Sequence, residues 1–458
     1  MDRSSIGGIG ARFTRRRVVG AAATASGVAM GVSLLSACSP SGGGPSSAAP
    51  AAGSCAEHME IWSAFGSGSV QDDAMHQLAK DFAQGKAGCS VDVVVVPTDL
   101  PAKLTAALAG GAPPASATFA PSQVTSWSTQ GLIQAVDDLF KRDKLAKDDF
   151  PPPLWQQMNY GGKTWFLPLY ANADFILHWN KGHFRDVGLD PDKGPTTIAE
   201  LDPMIAQLTR EQDGNLARIG MEPWNIYGSG NTIEGWGFAF GGSFKDEAKD
   251  ELTVNHPRIQ RAVEWYTGWA ARIGAARVAT METTLTPPGG VFFAANKLSI
   301  APLTSPSLRF VQKFDPSIEI GAGVMPGESP GKPGAVAIGG WATGVITGTK
   351  QREASWQLVK YLGADNTGTL TVAKIMGLPG WLKSPGLVEL AKDPLQKAYV
   401  DGIKRAQFPQ IGFYTPTGFD LNPIQEVIDG KRSVKDALDA INRDANQKYA
   451  DWKARNKK

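Results

Sequence analysis

Short apolar strands alternating with amphipathic helices most restrict the fold of this chain. One strand, predicted at 90–96, is mostly valine and lies between helices predicted at 72–83 and 100–108. A continuous apolar run is typical of a buried parallel strand, because crossover helices cover both faces of such a sheet. The alternation therefore predicts an α/β sheet with crossover connections.

The same alternation continues along most of the chain. Further strands are predicted at 58–62, 116–119, 175–179, 298–301 and 321–324. Further helices are predicted at 122–130, 197–209, 258–271, 352–362 and 434–455. The chain is thus expected to form an α/β body with a mostly helical C-terminal part.

Two export signals precede this body. A twin-arginine block at Thr14–Val19 leads into an apolar run rich in Ala, Gly and Val, and Leu35-Ser36-Ala37-Cys38 ends that run. This is the layout of a secretory signal, and Leu-Ser-Ala-Cys resembles a bacterial lipobox. We expect export by the twin-arginine route, removal of residues 1–37, and a lipid on Cys38 that anchors the protein at the extracytoplasmic face of the cell membrane.

A transmembrane helix is the alternative for this run, since residues 18–37 are long enough to span a bilayer. Its Ala, Gly and Ser content argues against that alternative, and no basic stop-transfer cluster follows it. Instead a stretch of Ser, Gly, Pro and Ala continues to Gly53, and such a composition does not fold. We assign residues 38–56 as a flexible linker.

The charge balance argues against a nucleic-acid partner. Residues 1–37 hold five of the 46 basic residues and one of the 44 acidic residues, which leaves 41 basic and 43 acidic residues in the mature chain. A near-neutral body without basic clusters offers no electrostatic footprint for a phosphate backbone.

The cysteine content fits an oxidising compartment. With Cys38 assigned to lipid, Cys55 and Cys89 remain, each just before a predicted strand. Parallel neighbouring strands would bring these two positions together, so we predict a disulfide between them. Two free thiols are the alternative, and a metal site is disfavoured because no histidines cluster nearby.

Sequence signatures of catalysis are mostly missing. The chain has no His-Glu-x-x-His pair and no Gly-x-x-x-x-Gly-Lys loop, and its five histidines are scattered. No metal or cofactor site is predicted. An enzyme remains possible, for example an exported glycosidase or esterase that uses paired carboxylates.

Aromatic residues next to Gly, Asn and Ser in predicted loops favour a carbohydrate ligand. They occur at 62–68, 165–172, 224–231, 236–240 and 339–341. Aromatic rings stack on the apolar faces of a sugar ring, and short polar groups bind its hydroxyls. Each ring taken alone is more simply explained as a core residue.

Two adjacent segments carry a family resemblance. Gly162–Tyr170 reads Gly-Lys-Thr-Trp-Phe-Leu-Pro-Leu-Tyr, and Leu177–Lys181 reads Leu-His-Trp-Asn-Lys. From Met59 to about Lys448 the order of such features resembles the extracellular solute-binding proteins of family 1, the carbohydrate-type receptors of ABC importers. Trp179 stands where that family usually has Tyr. Further matches are Glu222–Trp224, Phe240–Gly242, 293–301, Ile338–Gly340, 356–362 and Gly377–Pro379.

The resemblance implies a two-lobed periplasmic-binding-protein-like α/β fold of class II, with discontinuous lobes that close on a ligand. Crossings are expected near 168–172, 302–306 and 338–342. The corresponding division is 57–169 with 303–340 for the first lobe, and 170–302 with 341–458 for the second. The implied function is capture of a sugar or sugar-like polyol for the permease subunits of an ABC importer, with membrane contact only through the lipid.

The same resemblance, together with the aromatic loops, suggests the ligand residues. They are Phe65, Gly66, Ser67, Phe119, Ser122, Gln123, Tyr170, Asn172, Trp224, Gly340 and Trp341. Trp224 matches an aromatic that stacks on sugar in the maltose receptor, whereas Ser122 and Gln123 replace a charged pair there. A glycerophosphodiester is the alternative ligand, for which Arg309 would supply the cation.

Overall fold

The structure, a computed structural model, describes residues 58–173, 175–226, 229–283, 292–329, 334, 337–409, 412 and 418–456. The predicted signal, Cys38, the linker and Cys55 lie outside the described residues. Among the helices that are described, none is both long enough and apolar enough to cross a membrane.

The strands follow one another in the order β1 His58–Ser63, β2 Ser90–Val95, β3 Ser116–Phe119, β4 Asn159–Tyr160, β5 Lys163–Thr164, β6 Leu167–Ala173, β7 Leu177–Asn180, β8 Arg210–Gln212, β9 Asn215–Arg218, β10 Lys245–Asp246, β11 Glu251–Leu252, β12 Ile300–Pro302, β13 Ile320–Gly323, β14 Ala337–Val345 and β15 Phe408–Pro409.

The helices are α1 Val70–Ala83, α2 Leu100–Ala109, α3 Val124–Thr129, α4 Asp137–Arg142, α5 Pro152–Met158, α6 Lys181–Arg185, α7 Ile198–Leu208, α8 Ser229–Ala239, α9 Pro257–Ile273, α10 Ala275–Thr283, α11 Ser305–Phe314, α12 Arg352–Ala364, α13 Asn366–Ile375, α14 Pro385–Leu390, α15 Pro394–Arg405, α16 Asn422–Ile428 and α17 Val434–Asn456.

The first lobe is built on the larger sheet, with strand order β15-β14-β3-β1-β2 and β6 paired to β14. β1 pairs in parallel with β2 and β3, as the alternation predicts, whereas β14 runs antiparallel to β3 and β6. β2 is the last strand of this order and its valines are only partly buried. The apolar run therefore predicts a parallel strand correctly, but β2 is less buried than the run indicates.

The second lobe is built on the three-stranded sheet β12-β7-β13, in which both pairings are antiparallel. The surroundings of Trp179 in β7 show how this chain accommodates a Trp where the family usually has Tyr. Its indole donates to the carbonyl of Pro191 at 2.9 Å, and its ring lies against the backbone of Gly321. A Cβ at Gly321 would lie 2.1 Å from the indole, so the larger ring requires glycine there.

Two elements pack against the other sheet from the one that the predicted division implies. β13 lies within the 303–340 segment predicted for the first lobe, yet it pairs with β7 of the second lobe. α12 lies within the 341–458 segment predicted for the second lobe, yet it packs against β6 and β14 of the first. β13 and β7 lie more than a hundred positions apart, and local sequence patterns do not report such a pairing. The division into lobes stays a prediction. The C-terminal part is mostly helical, as predicted, and is shared between the lobes.

The predicted helix at 122–130 differs in its first turn. Residues 121–123 form a 3₁₀ turn that begins at Pro121, and α3 follows at Val124. The long helices α9, α12 and α17 lie within two residues of their predicted bounds.

The chain passes from the first lobe to the second directly after β6, which pairs with β14 in the larger sheet. Tyr170 lies opposite Trp341, and Ala171 lies opposite Gly340. Gly340 has a φ of +120°, and a Cβ there would lie 2.2 Å from the carbonyl oxygen of Tyr170. The close approach of these two strands therefore depends on glycine at this position.

Replacing Gly340 with Ala is expected to lower the free energy of unfolding by about 2–4 kcal/mol, because it adds both backbone strain and a clash with β6. Chemical denaturation checks this. Gly268→Ala is the matched control, since nothing lies within 4 Å of a Cβ there, and it should stabilise α9 by about 0.5–1 kcal/mol. Equal stabilities of Gly340→Ala and the parent would contradict the assigned backbone.

Candidate ligand-binding site

The end of β1 forms one edge of the site. Ala64 donates its backbone N–H to the hydroxyl of Thr118, and Phe65 donates to the hydroxyl of Ser63. Downstream, Ser69 caps α1 by accepting from the backbone N–H of Asp72. These bonds hold the loop between β1 and α1, and they leave Gly66 and Ser67 exposed.

Three rings meet at this loop and are called here the aromatic cluster, formed by Phe65, Tyr170 and Trp341. The ring centroid of Phe65 lies 4.6 Å from that of Trp341 and 6.5 Å from that of Tyr170. The pairing of β6 with β14 sets the other two rings opposite each other. Three of the predicted ligand residues are thus brought together although they are far apart in sequence.

Asn172 lies two residues after Tyr170 on β6, opposite Gly339 of β14. Its side chain is half-buried, and its Oδ1 is buried without a hydrogen-bond partner among the described residues. An unpaired buried acceptor costs roughly 1–3 kcal/mol. A ligand hydroxyl that donated to this oxygen would recover that energy.

The turn at 120–123 also belongs to the first lobe. Gln123 is exposed and its Oε1 accepts from the backbone N–H of Ala120 at 3.1 Å, while Ser122 is half-buried next to Gly412. Phe119 differs from its predicted role. Its ring is 1 % exposed, stacks on Trp127 at 4.5 Å and meets Phe166 edge-on, so it lies in the core of the first lobe.

Trp224 lies in the second lobe. Its loop is fixed by two bonds: Trp236 donates to the carbonyl of Pro223 at 2.7 Å, and the backbone of Ile226 donates to the hydroxyl of Thr232. Trp224 is largely buried and lines a cavity of about 290 Å³ together with Glu222. The structure therefore places Trp224 in a separate wall from the aromatic cluster.

The same cavity contains groups that were not predicted from the sequence. Glu282 of α10 and Tyr266 of α9 also line it. Burial raises the pKa of Glu222 to about 7. The charge of Glu282 also raises it, whereas a hydrogen bond from Asn225 lowers it. The Glu222-Pro223-Trp224 match pointed to this loop, but only its aromatic residue was assigned a role.

Arg309, the cation considered for a phosphate ligand, is engaged elsewhere. Its guanidinium donates to the carbonyls of Ala373 at 3.0 Å and Lys374 at 3.3 Å, near the end of α13. Within the described residues there is also no group of three or more His, Cys, Asp or Glu that could hold a metal ion.

The raised pKa of Glu222 predicts a pH-dependent stability. The unfolded chain ionises this group above about pH 4.5, and the folded chain ionises it only above about pH 7, so stability falls as the pH rises through this window. Glu222→Gln should therefore gain stability relative to the parent between about pH 4.5 and pH 7, by at most about 3 kcal/mol. Denaturant titrations at several pH values measure this gain. The exposed Glu264→Gln is the control, and a pH-independent difference for Glu222→Gln would refute the assignment.

Comparison with known proteins identifies the family. A family model described as bacterial extracellular solute-binding protein matches residues 67–366. Among solved structures, CpMnBP1 with mannobiose bound is 21% identical with a TM-score of 0.71, and the match covers 85% of this chain and 100% of that one.

Two further structures have the same fold. An ABC substrate-binding protein from Listeria monocytogenes in complex with cycloalternan is 16% identical, with a TM-score of 0.70 and coverage of 86% and 99%. The sugar-binding protein MalE from Xanthomonas citri is 18% identical, with a TM-score of 0.70 and coverage of 86% and 98%. With the two sheets and the family match together, this chain belongs to the bacterial extracellular solute-binding proteins.

Proposed function

We propose that this protein is a lipid-anchored receptor that captures a sugar or sugar-like polyol between its lobes and delivers it to the permease of an ABC importer. The observation that carries the proposal is the aromatic cluster, with the unpaired Oδ1 of Asn172 beside it. Phe65 and Tyr170 are buried and Trp341 is half-buried, so Trp341 is the ring that provides a stacking surface for the C–H face of a sugar. Asn172 provides an acceptor for a hydroxyl.

The structural neighbours support this ligand class. Mannobiose is bound to CpMnBP1, cycloalternan to the Listeria protein, and the Xanthomonas protein is described as sugar-binding. A glycerophosphodiester fits less well, because Arg309 already donates to two backbone carbonyls. The family and its neighbours are binding proteins, which favours a receptor over a glycosidase or esterase.

Closure between the lobes would couple binding to transport. Tyr170 and Trp341 belong to the paired strands β6 and β14 of the first lobe, and β6 is the strand after which the chain enters the second lobe. A ligand that stacks on these rings contacts the second lobe only when the lobes approach each other. Such a ligand binds the closed form more tightly and shifts the population towards it.

The ligand class is tested with a thermal-shift screen of the full-length protein against neutral mono-, di- and oligosaccharides, polyols and glycerophosphodiesters. A ligand that binds only the folded state raises the melting temperature. We expect the hits among neutral sugars or polyols. Hits confined to glycerophosphodiesters would show that the alternative ligand is the correct one. A screen without any hit would contradict the proposal.

Trp341→Ala is expected to weaken the binding of such a ligand by at least about tenfold, because it removes one stacking surface. Asn172→Ala should weaken binding while leaving the free protein at least about as stable as the parent, since its Oδ1 has no hydrogen-bond partner among the described residues. Titration calorimetry measures both. Trp452→Ala is the matched control, because this half-buried ring stacks on Tyr449 of α17. If a folded Trp341→Ala variant bound the ligand with unchanged affinity, the aromatic cluster would not be part of the binding site.

The anchor and the disulfide belong to the same proposal. β1 and β2 pair in parallel with His58 opposite Ser90, and Cys89 directly precedes Ser90. This register supports pairing of Cys55 with Cys89. Peptide mapping of the membrane-derived protein under non-reducing conditions should give a lipid-modified peptide that begins at Cys38 and a linked pair containing Cys55 and Cys89. Free thiols at both positions, or an unmodified Cys38, would contradict the respective assignment.

A further inference from the structure

The cavity beside Trp224 has a distinctive charge pattern. It lies between the 222–225 loop and helices α9, α10 and α16, and two carboxylates, Glu222 and Glu282, line it. None of the described residues in its lining is Lys or Arg. The cavity therefore presents negative charge without a protein cation to balance it.

Basic side chains on the neighbouring segments are paired elsewhere. Arg277 of α10 binds Glu211 at 2.8 Å, and Arg432, just after α16, binds Glu426 at 2.9 Å. Arg272 near the end of α9 lies against the ring of Trp269. None of these three cations lines the cavity, so none of them is hydrogen-bonded there in place of a ligand cation.

Tyr266 is an independent sign of a ligand. It is fully buried, it lines the same cavity, and its hydroxyl has no hydrogen-bond partner in the described part of the chain. An unpaired buried hydroxyl is costly unless a partner arrives. The hydroxyl can accept a hydrogen bond from the N–H of an ammonium group, as the two carboxylates can.

The remaining walls suit a ring. Trp224 offers an aromatic face, while Ala279 and Ile428 are apolar. The volume of about 290 Å³ lies near the lower end for ligand pockets, which favours one ring-sized unit. Two carboxylates alone do not make a metal site, and within the described residues no group of three or more metal-ligating side chains occurs.

We propose that this cavity binds an amine-bearing sugar unit, with the ammonium group between Glu222 and Glu282 and within reach of the Tyr266 hydroxyl. The inference rests on the proposed function, because it assigns the cavity to one unit of the captured ligand. Charge-assisted hydrogen bonds to an ammonium group would stabilise both carboxylates, and the sugar ring would stack on Trp224.

The raised pKa of Glu222 agrees with this assignment. Without a cation, burial and Glu282 keep much of Glu222 protonated near neutral pH. An ammonium group favours the ionised form, so its binding should release a proton from Glu222. A neutral sugar should bind without this release.

The test compares matched sugars with the full-length protein by titration calorimetry near neutral pH. The neutral members are glucose and cellobiose, the amine members are glucosamine and its β-1,4-linked disaccharide, and the N-acetylated forms of the amines complete each set. We expect the amine members to bind at least about tenfold more tightly than their neutral and acetylated partners. Titrations in two buffers of different ionisation enthalpy should report proton release only for the amines.

Three variants locate the effect. Glu222→Gln and Glu282→Gln should each reduce the preference for amines, and Tyr266→Phe should reduce it while leaving the melting temperature of the free protein unchanged or higher. Glu264→Gln, which removes an exposed carboxylate from the same helix as Tyr266, is the matched control and should keep the preference.

The outcomes separate this inference from the proposed function. Neutral sugars that bind as tightly as the amines would overturn the amine site and leave the sugar receptor standing. An amine preference that survives in both Glu222→Gln and Glu282→Gln would also overturn the site. Failure of every sugar in this panel and in the thermal-shift screen would overturn the proposed function and the inference with it.

Discussion

The antiparallel pairing of β14 with β6 is the interaction on which the rest of the structure depends. β14 pairs with β3 through its second half and with β6 along most of its length, so it ties the larger sheet to the strand that leads towards the second lobe. Gly340 allows this approach because a side chain there would meet the carbonyl oxygen of Tyr170. The geometry of the aromatic cluster follows directly from this register.

Much of the fold could be predicted from local pattern. β1, β2 and β3 were found because their runs of strand-forming residues are short and bounded, and α9, α12 and α17 because their apolar residues recur at helical spacing. Pairings between segments that are distant in sequence could not be found in this way. The pairing of β13 with β7 joins residues 320–323 to 177–180, and nothing within either segment reports its partner.

The residues of the candidate site were also predicted only in part. Phe65, Tyr170 and Trp341 were assigned from loop composition and family order, and the structure brings their rings together. Tyr266 was missed because it lies on the apolar face of α9, where an aromatic residue is most simply a core residue. Phe119 was assigned to the site by position, but its ring lies among Trp127 and Phe166 in the core. Side-chain direction, which decides both cases, is a property of the packed structure.

Two of the unpaired buried polar groups lie at the candidate ligand surfaces of the two lobes. Among the described residues, the Oδ1 of Asn172 has no hydrogen-bond partner beside the aromatic cluster, and the hydroxyl of Tyr266 has none in the cavity of the second lobe. Each group lowers the stability of the free protein, and each is stabilised only when a partner with a donor arrives. A polar ligand therefore gains affinity by making the hydrogen bonds that these groups lack in the free protein. β6 carries Asn172 and also leads into the second lobe. A ligand that bonds to Asn172 therefore lies at the junction of the lobes, and its binding favours the closed form.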